Sequence, residues 1–341
     1  MIIRSKAPLR LGLAGGGTDV SPYSDDFGGM ILNATIEKYA YATIIPKKNG
    51  KIVFHSQDRG ESVEYDSVAR LPIDGELDLL KGVYNRVVKD FNHNAPLSFE
   101  LHTYVDAPPG SGLGSSSTLV VAIVGAFTEW LKLPLGEYDI AHLAHDIERI
   151  DLGFAGGKQD QYAATFGGVN FMEFYRDDKV IVNPLRIRNT YLRELEFNII
   201  SYYTGTSRLS SKIIEAQQES VKGKGKPVEA MHELKKQAMM MKEALLRGEL
   251  RRIGDLLDYG WKFKKELAAG ITNPVIDELY DEARKMGATG GKISGAGGGG
   301  FMTFFCPGNT RYAVIQRLKE FGGEVRDVKF SSLGVTSWTL K

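Results

Sequence analysis

The sequence predicts an α+β protein of two domains, on three observations. At 341 residues the chain is long for a single hydrophobic core. Stretches with the two-residue alternation of half-buried strands are interspersed with stretches of helical spacing, an order that suits an α+β layer and the split βαβ arrangement. The 39 glycines gather in three turns, around 12–17, 110–114 and 290–300, that punctuate strands and helices. A boundary near Leu195 is expected, giving domains 1–194 and 195–341.

Bulk properties exclude several classes. The chain is 43% hydrophobic and 25% charged, ordinary for a globular protein, and a net charge of +1 creates no field favouring nucleic acid or an anionic membrane. The longest apolar run, within 119–127, is far too short to span a bilayer. Arg4, Lys6 and Arg10 interrupt the N-terminal residues, which argues against a signal peptide. A single cysteine, Cys306, excludes an internal disulfide and a multi-cysteine zinc site. A cytoplasmic protein is expected, and homodimer formation is left open.

In chain order, Leu9, Leu11 and Leu13 alternate as a short strand running into the first glycine cluster. Thr18 and Asp19 stand at its exit. Asp19 is either a turn or cap residue or an acceptor for two sugar hydroxyls. Arg10 is expected to point away from the apolar face, toward a phosphate or into solvent. Residues 34–46 and 52–55 read as strands and 77–92 as a helix. Leu97, Phe99, Leu101, Thr103 and Val105 form the next alternating strand.

The second cluster follows, Pro-Pro-Gly-Ser-Gly-Leu-Gly-Ser-Ser-Ser at 108–117, ahead of a stretch apolar almost all round from Ser115 to Leu131. Such a helix belongs at the centre of a domain. The loop is either a serine-capped turn or an anion site, because chain without Cβ atoms brings N–H groups close to a ligand and the helix start adds donors and dipole. It lacks the Lys of a Walker loop and the spacing of a dinucleotide fingerprint.

After a break at Pro134, residues 137–151 read as a helix. Glu148 on it either snorkels to solvent or faces a cleft and holds a cation. His142 and His145 share this helix and read as structural, with no third ligand nearby. Two Gly-Gly pairs then bracket a short helical piece at 154–170, with Lys158 and Asp160 near its start. Both are either caps or functional; if their side chains meet, Lys158 favours the ionised Asp160. Residues 170–192 look mixed and strand-like. A strand at 197–203 leads to Thr-Gly-Thr-Ser-Arg at 204–208. Helices are expected over 211–248 in two pieces, around a basic surface loop at 222–227, and over 250–268 and 274–286. Met239, Met240 and Met241 read as core filling. The third glycine cluster at 290–300 precedes a strand at 301–305, a helix at 310–321 and a last strand at 335–340.

Each glycine raises the folding entropy cost by up to ~1 kcal/mol against alanine, so clusters call for a reason. Together with Ser117, Glu148 and Asp160, the three resemble the motifs of the GHMP small-molecule kinases in order and spacing, over essentially the whole chain. Motif one falls at 6–20, motif two at 108–117 and motif three at 290–301. The resemblance implies a ribosomal-protein-S5-like N-terminal domain, a ferredoxin-like C-terminal domain and an active site between them. It implies ATP as donor, wrapped by Pro109, Gly110, Ser111, Gly112, Leu113, Gly114, Ser115, Ser116 and Ser117. It also implies Mg²⁺ on Ser117 and Glu148, Arg10 near the transferred phosphoryl group, and Asp160 at the acceptor hydroxyl. With an ordinary pKa of ~3.9 an aspartate is a poor base, so orientation is its expected part.

The first motif departs from the mevalonate kinase and galactokinase pattern, where Gly-Glu-His follows the strand. Here Ala-Gly-Gly-Gly-Thr-Asp stands at 14–19, without that carboxylate and imidazole. With Gly-Lys-Gln-Asp-Gln at 157–161 and the 204–208 run, this form is similar to the bacterial D-glycero-D-manno-heptose 7-phosphate kinase branch. That branch phosphorylates the anomeric hydroxyl of a sugar phosphate on the way to activated heptose for surface polysaccharide. Substrate contacts are then expected from Gly17, Thr18, Asp19, Gly297 and Gly298, with Lys158 and Arg208 as the second anion site. The other expectations are a sugar 1-kinase for a neutral fucose- or galactose-like sugar, and a ligand sensor derived from such a kinase.

Overall fold

A computed structural model describes residues 1–205, 210–222 and 225–341. Twelve strands among them form two sheets. The first sheet uses β1 (Ile2–Ala14), β2 (Gly29–Pro46), β3 (Lys51–Ser56), β4 (Glu61–Asp66), β5 (Phe99–Val105), β6 (Val169–Phe174) and β7 (Val180–Pro184). The second uses β8 (Ile199–Tyr203), β9 (Gly290–Ile293), β10 (Phe301–Phe305) and β11 (Glu324–Asp327). The last strand, β12 (Thr336–Leu340), returns to the first sheet and pairs with β1.

In the first sheet the order is β12-β1-β2-β5-β3-β4. The long β2 serves two neighbours: residues 29–34 pair with β6 and residues 40–46 with β5. Helix Ser115–Leu131 lies against β1 and β2, with helices Asp78–Phe91, Glu137–Asp146 and Gln159–Phe166 packed on it. Covered by a sheet and by helices, it buries Val120 through Phe127 on every face, which is why its sequence shows no polar stripe. At about 1.5–3 kcal/mol per buried large apolar side chain, this helix is the main apolar anchor of the first core.

The second sheet runs β11-β8-β10-β9, antiparallel throughout. In chain order that is the βαββαβ arrangement expected from the strand and helix sequence. The first strand of the second sheet in chain order is β8, and the C-terminal β12 adds to the first sheet, not to the second. Among the described residues no helix is long and apolar enough to cross a membrane.

Several expected elements differ. β1 spans 13 residues rather than a short strand. The central helix stops at Leu131 with Lys132 left-handed (φ 53°), before Pro134 is reached. Residues 189–198, read as the end of a mixed stretch and the start of a strand, form helix Asn189–Asn198. It buries only Leu195 and Asn198, too little apolar surface to mark its period. Strands β4 and β11 were not legible either; both sit at a sheet edge with no fully buried residue. Of the three methionines, Met241 is fully buried while Met239 is exposed.

β12 is locked by main-chain packing ahead of it. Gly167 is left-handed, and a Cβ there would overlap the backbone of Leu333 and Gly334. Gly167→Ala should therefore cost more than ~2 kcal/mol in denaturant melts and expose the C-terminal strand to protease. Gly60→Ala, equally left-handed (φ 66°) but in open space, should cost only ~1–2 kcal/mol. Equal losses would contradict the packing assigned to residues 333–335.

Candidate active site

A cavity of about 690 Å³ opens where the three glycine clusters meet, with walls from both domains. A smaller one of about 320 Å³ lies along the C-terminal half of helix Ser115–Leu131, where Glu129 is already paired with Lys132 and Thr339. The large cavity is where the chemistry-bearing groups converge.

One wall is the loop before helix Ser115–Leu131. Gly110, Gly112 and Gly114 are all left-handed, at φ 71°, 82° and 77°. A Cβ on Gly112 would overlap the Ser294 carbonyl, and one on Gly300 the Ser111 carbonyl; Phe301 N–H donates to Ser111 O at 3.0 Å. The second and third clusters thus pack main chain on main chain. The hydroxyls of Ser111 and Ser294 are buried there without a partner among the described residues. Pro109, Gly110, Gly112, Gly114 and the three serines at the helix start line the cavity, so the N-terminal dipole end and its N–H groups face it. Ser111 and Leu113 support the loop from behind.

Arg10 is not solvated; only 4% of it is exposed. A register shift in β1 between Pro8 and Arg10 turns its N–H out of the ladder to Leu113 O at 3.1 Å. Its guanidinium bonds Asp160 (Nε–Oδ1 2.7 Å) and the Gly112 carbonyl (2.5 Å). Asp160 lies in the first turn of helix Gln159–Phe166, where the dipole favours a carboxylate. Its Oδ2 faces Gly114, whose missing Cβ would stand 3.1 Å away, and has no donor among the described residues.

Asp19 reaches the same cavity and is 1% exposed. Its Oδ2 accepts the Gln159 N–H at 3.0 Å. Gly157 makes room for it, since a Cβ there would overlap that carboxylate. Burial raises the Asp19 pKa, the Gln159 hydrogen bond opposes this, and the nearby Asp160 charge adds to the rise.

Glu148 does not snorkel. The helix from Glu137 widens after Asp146 into a π-turn, Ile147–Asp151, with Leu152 N–H donating to Ile147 O. Such turns re-aim side chains and are frequent at functional sites. Glu148, 1% exposed, accepts from Ser116 Oγ (2.9 Å) and Gln161 Nε2 (2.6 Å). Gln161 also donates to Ser117 Oγ at 3.1 Å. The direct serine partner of Glu148 is therefore Ser116, with Ser117 joined through Gln161. Both Ser117 and Glu148 line the cavity and offer hard oxygen donors of the kind Mg²⁺ takes. A third group does stand beside His142 and His145: the ligand atoms of both and of Asp146 lie within 4.8 Å of one another. Asp146 also receives Arg86 at 3.4 Å, while burial and then Arg149 hold the His145 pKa down.

Other expected contacts fall elsewhere. Lys158 does not meet Asp160 or line the cavity; its ammonium pairs with Asp178 at 2.6 Å. Thr18 ties the loop internally, to the Gly15 carbonyl (2.8 Å) and the Met30 N–H (3.0 Å). Gly297 and Gly298 pack on Ile271, and Gly295 and Ala296 form the wall instead. Gly17 does line it. Arg208 lies outside the described residues.

Two lysines escaped the sequence reading. Lys264 lines the cavity at 5% exposure, and Lys292, half-buried, donates to Gly12 O at 2.9 Å. Burial lowers Lys264 to about 8, with Asp19 opposing and Arg10 adding to the drop. It lowers Lys292 to about 7, helped by the charges of Lys264 and Arg10. Lys292 sits within the third glycine cluster, while the sequence signal for Lys264 is its place on the apolar face of an amphipathic helix.

The model of the GHMP kinases N terminal domain matches residues 78–168, and that of the GHMP kinases C terminal matches residues 241–324. A D-glycero-alpha-D-manno-heptose 7-phosphate kinase of Campylobacter jejuni is 51% identical over 99% of both chains. The crystal structure of a D-glycero-D-manno-heptose 1-phosphate kinase from Bacteroides thetaiotaomicron superposes with a TM-score of 0.85 at 45% identity, over 99% of both chains. Lactococcus lactis galactokinase with galactose shares the fold, at TM-score 0.79 and 20% identity, over 98% of this chain and 95% of that one.

The lysines make stability depend on pH. Their folded pKa values lie below the unfolded ~10.4, so between about pH 7 and 10 the unfolded chain binds more protons and stability rises with pH. Asp19 works the other way at acid pH, where its contribution is lost as pH climbs through its raised value. The ligand-free Tm should rise by a few degrees from pH 7 to 9.5, and Lys264→Met with Lys292→Met should flatten that rise. An identical slope in the double variant would contradict the burial of these charges.

Proposed function

The chain belongs to the GHMP kinases, and we propose that it transfers the γ-phosphoryl group of ATP to the anomeric hydroxyl of D-glycero-D-manno-heptose 7-phosphate. The product is heptose 1,7-bisphosphate, on a cytoplasmic route to activated heptose for surface polysaccharide. The observation that carries the chemistry is the placement of Asp160. Its carboxylate is tied to Arg10 through one oxygen and turns the other toward Gly114, at the mouth of an N–H-rich loop. An acceptor-orienting group thus stands beside a loop whose N–H groups can receive an anion. The acceptor is supported by the likeness to the Campylobacter jejuni enzyme along the whole chain.

In this reading the loop from Pro109 to Ser117 receives the triphosphate on main-chain N–H groups and the helix dipole. Ser117 and Glu148 hold Mg²⁺, which when bound neutralises phosphate charge. Asp19 accepts sugar hydroxyls; its raised pKa reflects a buried site where such donors replace water. Asp160 holds the acceptor hydroxyl in line, and Arg10 fixes that carboxylate while adding positive charge where the phosphoryl group passes. Phosphoryl transfer needs mainly such placement and charge balance.

The test is turnover with ATP and Mg²⁺ on heptose 7-phosphate, mannose, fucose, galactose and mevalonate, alongside Asp160→Asn. Turnover should be confined to the heptose phosphate, and the variant should lose roughly 10²–10⁴ in kcat with ATP binding retained. A neutral sugar as best substrate would move the protein to the sugar 1-kinases. ATP binding without any turnover would make it a sensor.

A further inference from the structure

We propose that Lys264, beside Gly17 and Gln217, is the residue that recognises the phosphate already carried by the sugar substrate. The inference rests on the heptose phosphate reading and adds the group that distinguishes a phosphorylated acceptor from a neutral one.

Lys264 carries a charge with no counter-ion among the described residues. Lys264 projects from helix Arg251–Lys264 into the cavity and is 5% exposed. Among the described residues its ammonium donates to two neutral acceptors, the Gly16 carbonyl and Gln217 Oε1, both at 3.2 Å. No ion pair joins it to a carboxylate among the described residues. Arg10, the other buried cation of the cavity wall, is paired with Asp160. A buried ammonium without an anion is costly, by several kcal/mol in a dry site. A chain that keeps one in a ligand cavity has a place for an anion there.

The surroundings narrow what that anion is. Gly17 is left-handed (φ 106°), and a Cβ on it would stand 3.1 Å from the Lys264 ammonium and 3.4 Å from Gln217 Oε1. The absence of that Cβ lets the main chain, the ammonium and the amide close around one point on the wall. Gln217 is itself 4% exposed and anchored by its Nε2 to the Ala296 carbonyl at 3.1 Å, so the amide is fixed. Asp19 stands two residues beyond Gly17 in the same wall. Its carboxylate raises the Lys264 pKa, which burial pulls down to about 8. The ammonium thus shares its stretch of wall with the group assigned to sugar hydroxyls. A phosphomonoester on the sugar's far end fits this arrangement. It supplies a dianion to the buried cation while the hydroxyls nearer the reacting carbon meet Asp19 and Asp160.

The experiment compares D-glycero-D-manno-heptose 7-phosphate with its unphosphorylated parent heptose, in wild type, Lys264→Met and Lys264→Arg. Methionine keeps the stem and removes the unpaired charge, so the fold should be at least as stable by thermal melting. Loss of one charge-assisted contact should raise KM for the phosphorylated sugar by roughly 10- to 100-fold. The kcat/KM for the parent heptose and KM for ATP should stay within about threefold, and arginine should restore part of the loss. A second readout is inorganic phosphate titrated against enzyme saturated with a non-hydrolysable ATP analogue and Mg²⁺; its Kd should rise at least tenfold in Lys264→Met. Equal losses on both sugars would instead place Lys264 at the transferred phosphoryl group or in folding, and an unchanged KM would remove it from the site; either overturns the inference. Wild type that ignores heptose 7-phosphate would overturn the functional reading alone. Phosphate binding insensitive to Lys264 would overturn the inference alone.

Discussion

The site depends on close approach of main chain to charged side chain at positions that lack a Cβ. Gly157 gives Asp19 its space, and Gly114 stands against Asp160. Gly112 lets the loop before helix Ser115–Leu131 rest on the carbonyl of Ser294, from the second domain. Each is a place where a methyl group would displace a functional atom or separate two loops. The cost of ordering so many glycines is offset by what they allow: a cavity whose walls are backbone N–H groups on one side and fixed carboxylates on the other.

Charge is arranged on that frame with little freedom left. Arg10 joins three distant stretches by bonding Leu113 through its N–H and Gly112 and Asp160 through its guanidinium. Glu148 is held from two sides by Ser116 and Gln161, on a π-turn that departs from the regular helix only there. Preorganised groups of this kind need no rearrangement when phosphoryl charge shifts, which is how electrostatic catalysis gains its advantage. The second domain contributes Lys264, Gln217 and the Gly295 wall, so the cavity is complete only with both domains in place.

Much of this was legible in the sequence, and the physical reasons separate what was from what was not. Helix Ser115–Leu131 and strand Phe301–Phe305 were readable to the residue because burial on all faces writes a continuous apolar pattern. The glycine clusters announced close approach, and Asp19, Asp160, Ser117 and Glu148 do meet at one cavity. Edge strands β4 and β11 had no buried face to record them. Lys158 looked like a partner for Asp160 by proximity in sequence, but at the start of helix Gln159–Phe166 it points to Asp178 while Arg10 arrives from 150 residues away. Lys264 carried no motif; that it has no counter-ion among the described residues is visible only in the packed chain.

The proposed function needs Asp19 to face the sugar, and the missing Cβ at Gly157 leaves it the space to do so. Gly157→Ala tests it directly, in steady-state kinetics with each substrate varied in turn. The expected result is a KM for the sugar substrate raised at least about tenfold, with KM for ATP near that of wild type and the cooperative melt retained. An unchanged sugar KM in a folded variant would mean that Asp19 does not need the space the glycine leaves, and would remove Asp19 from the sugar site.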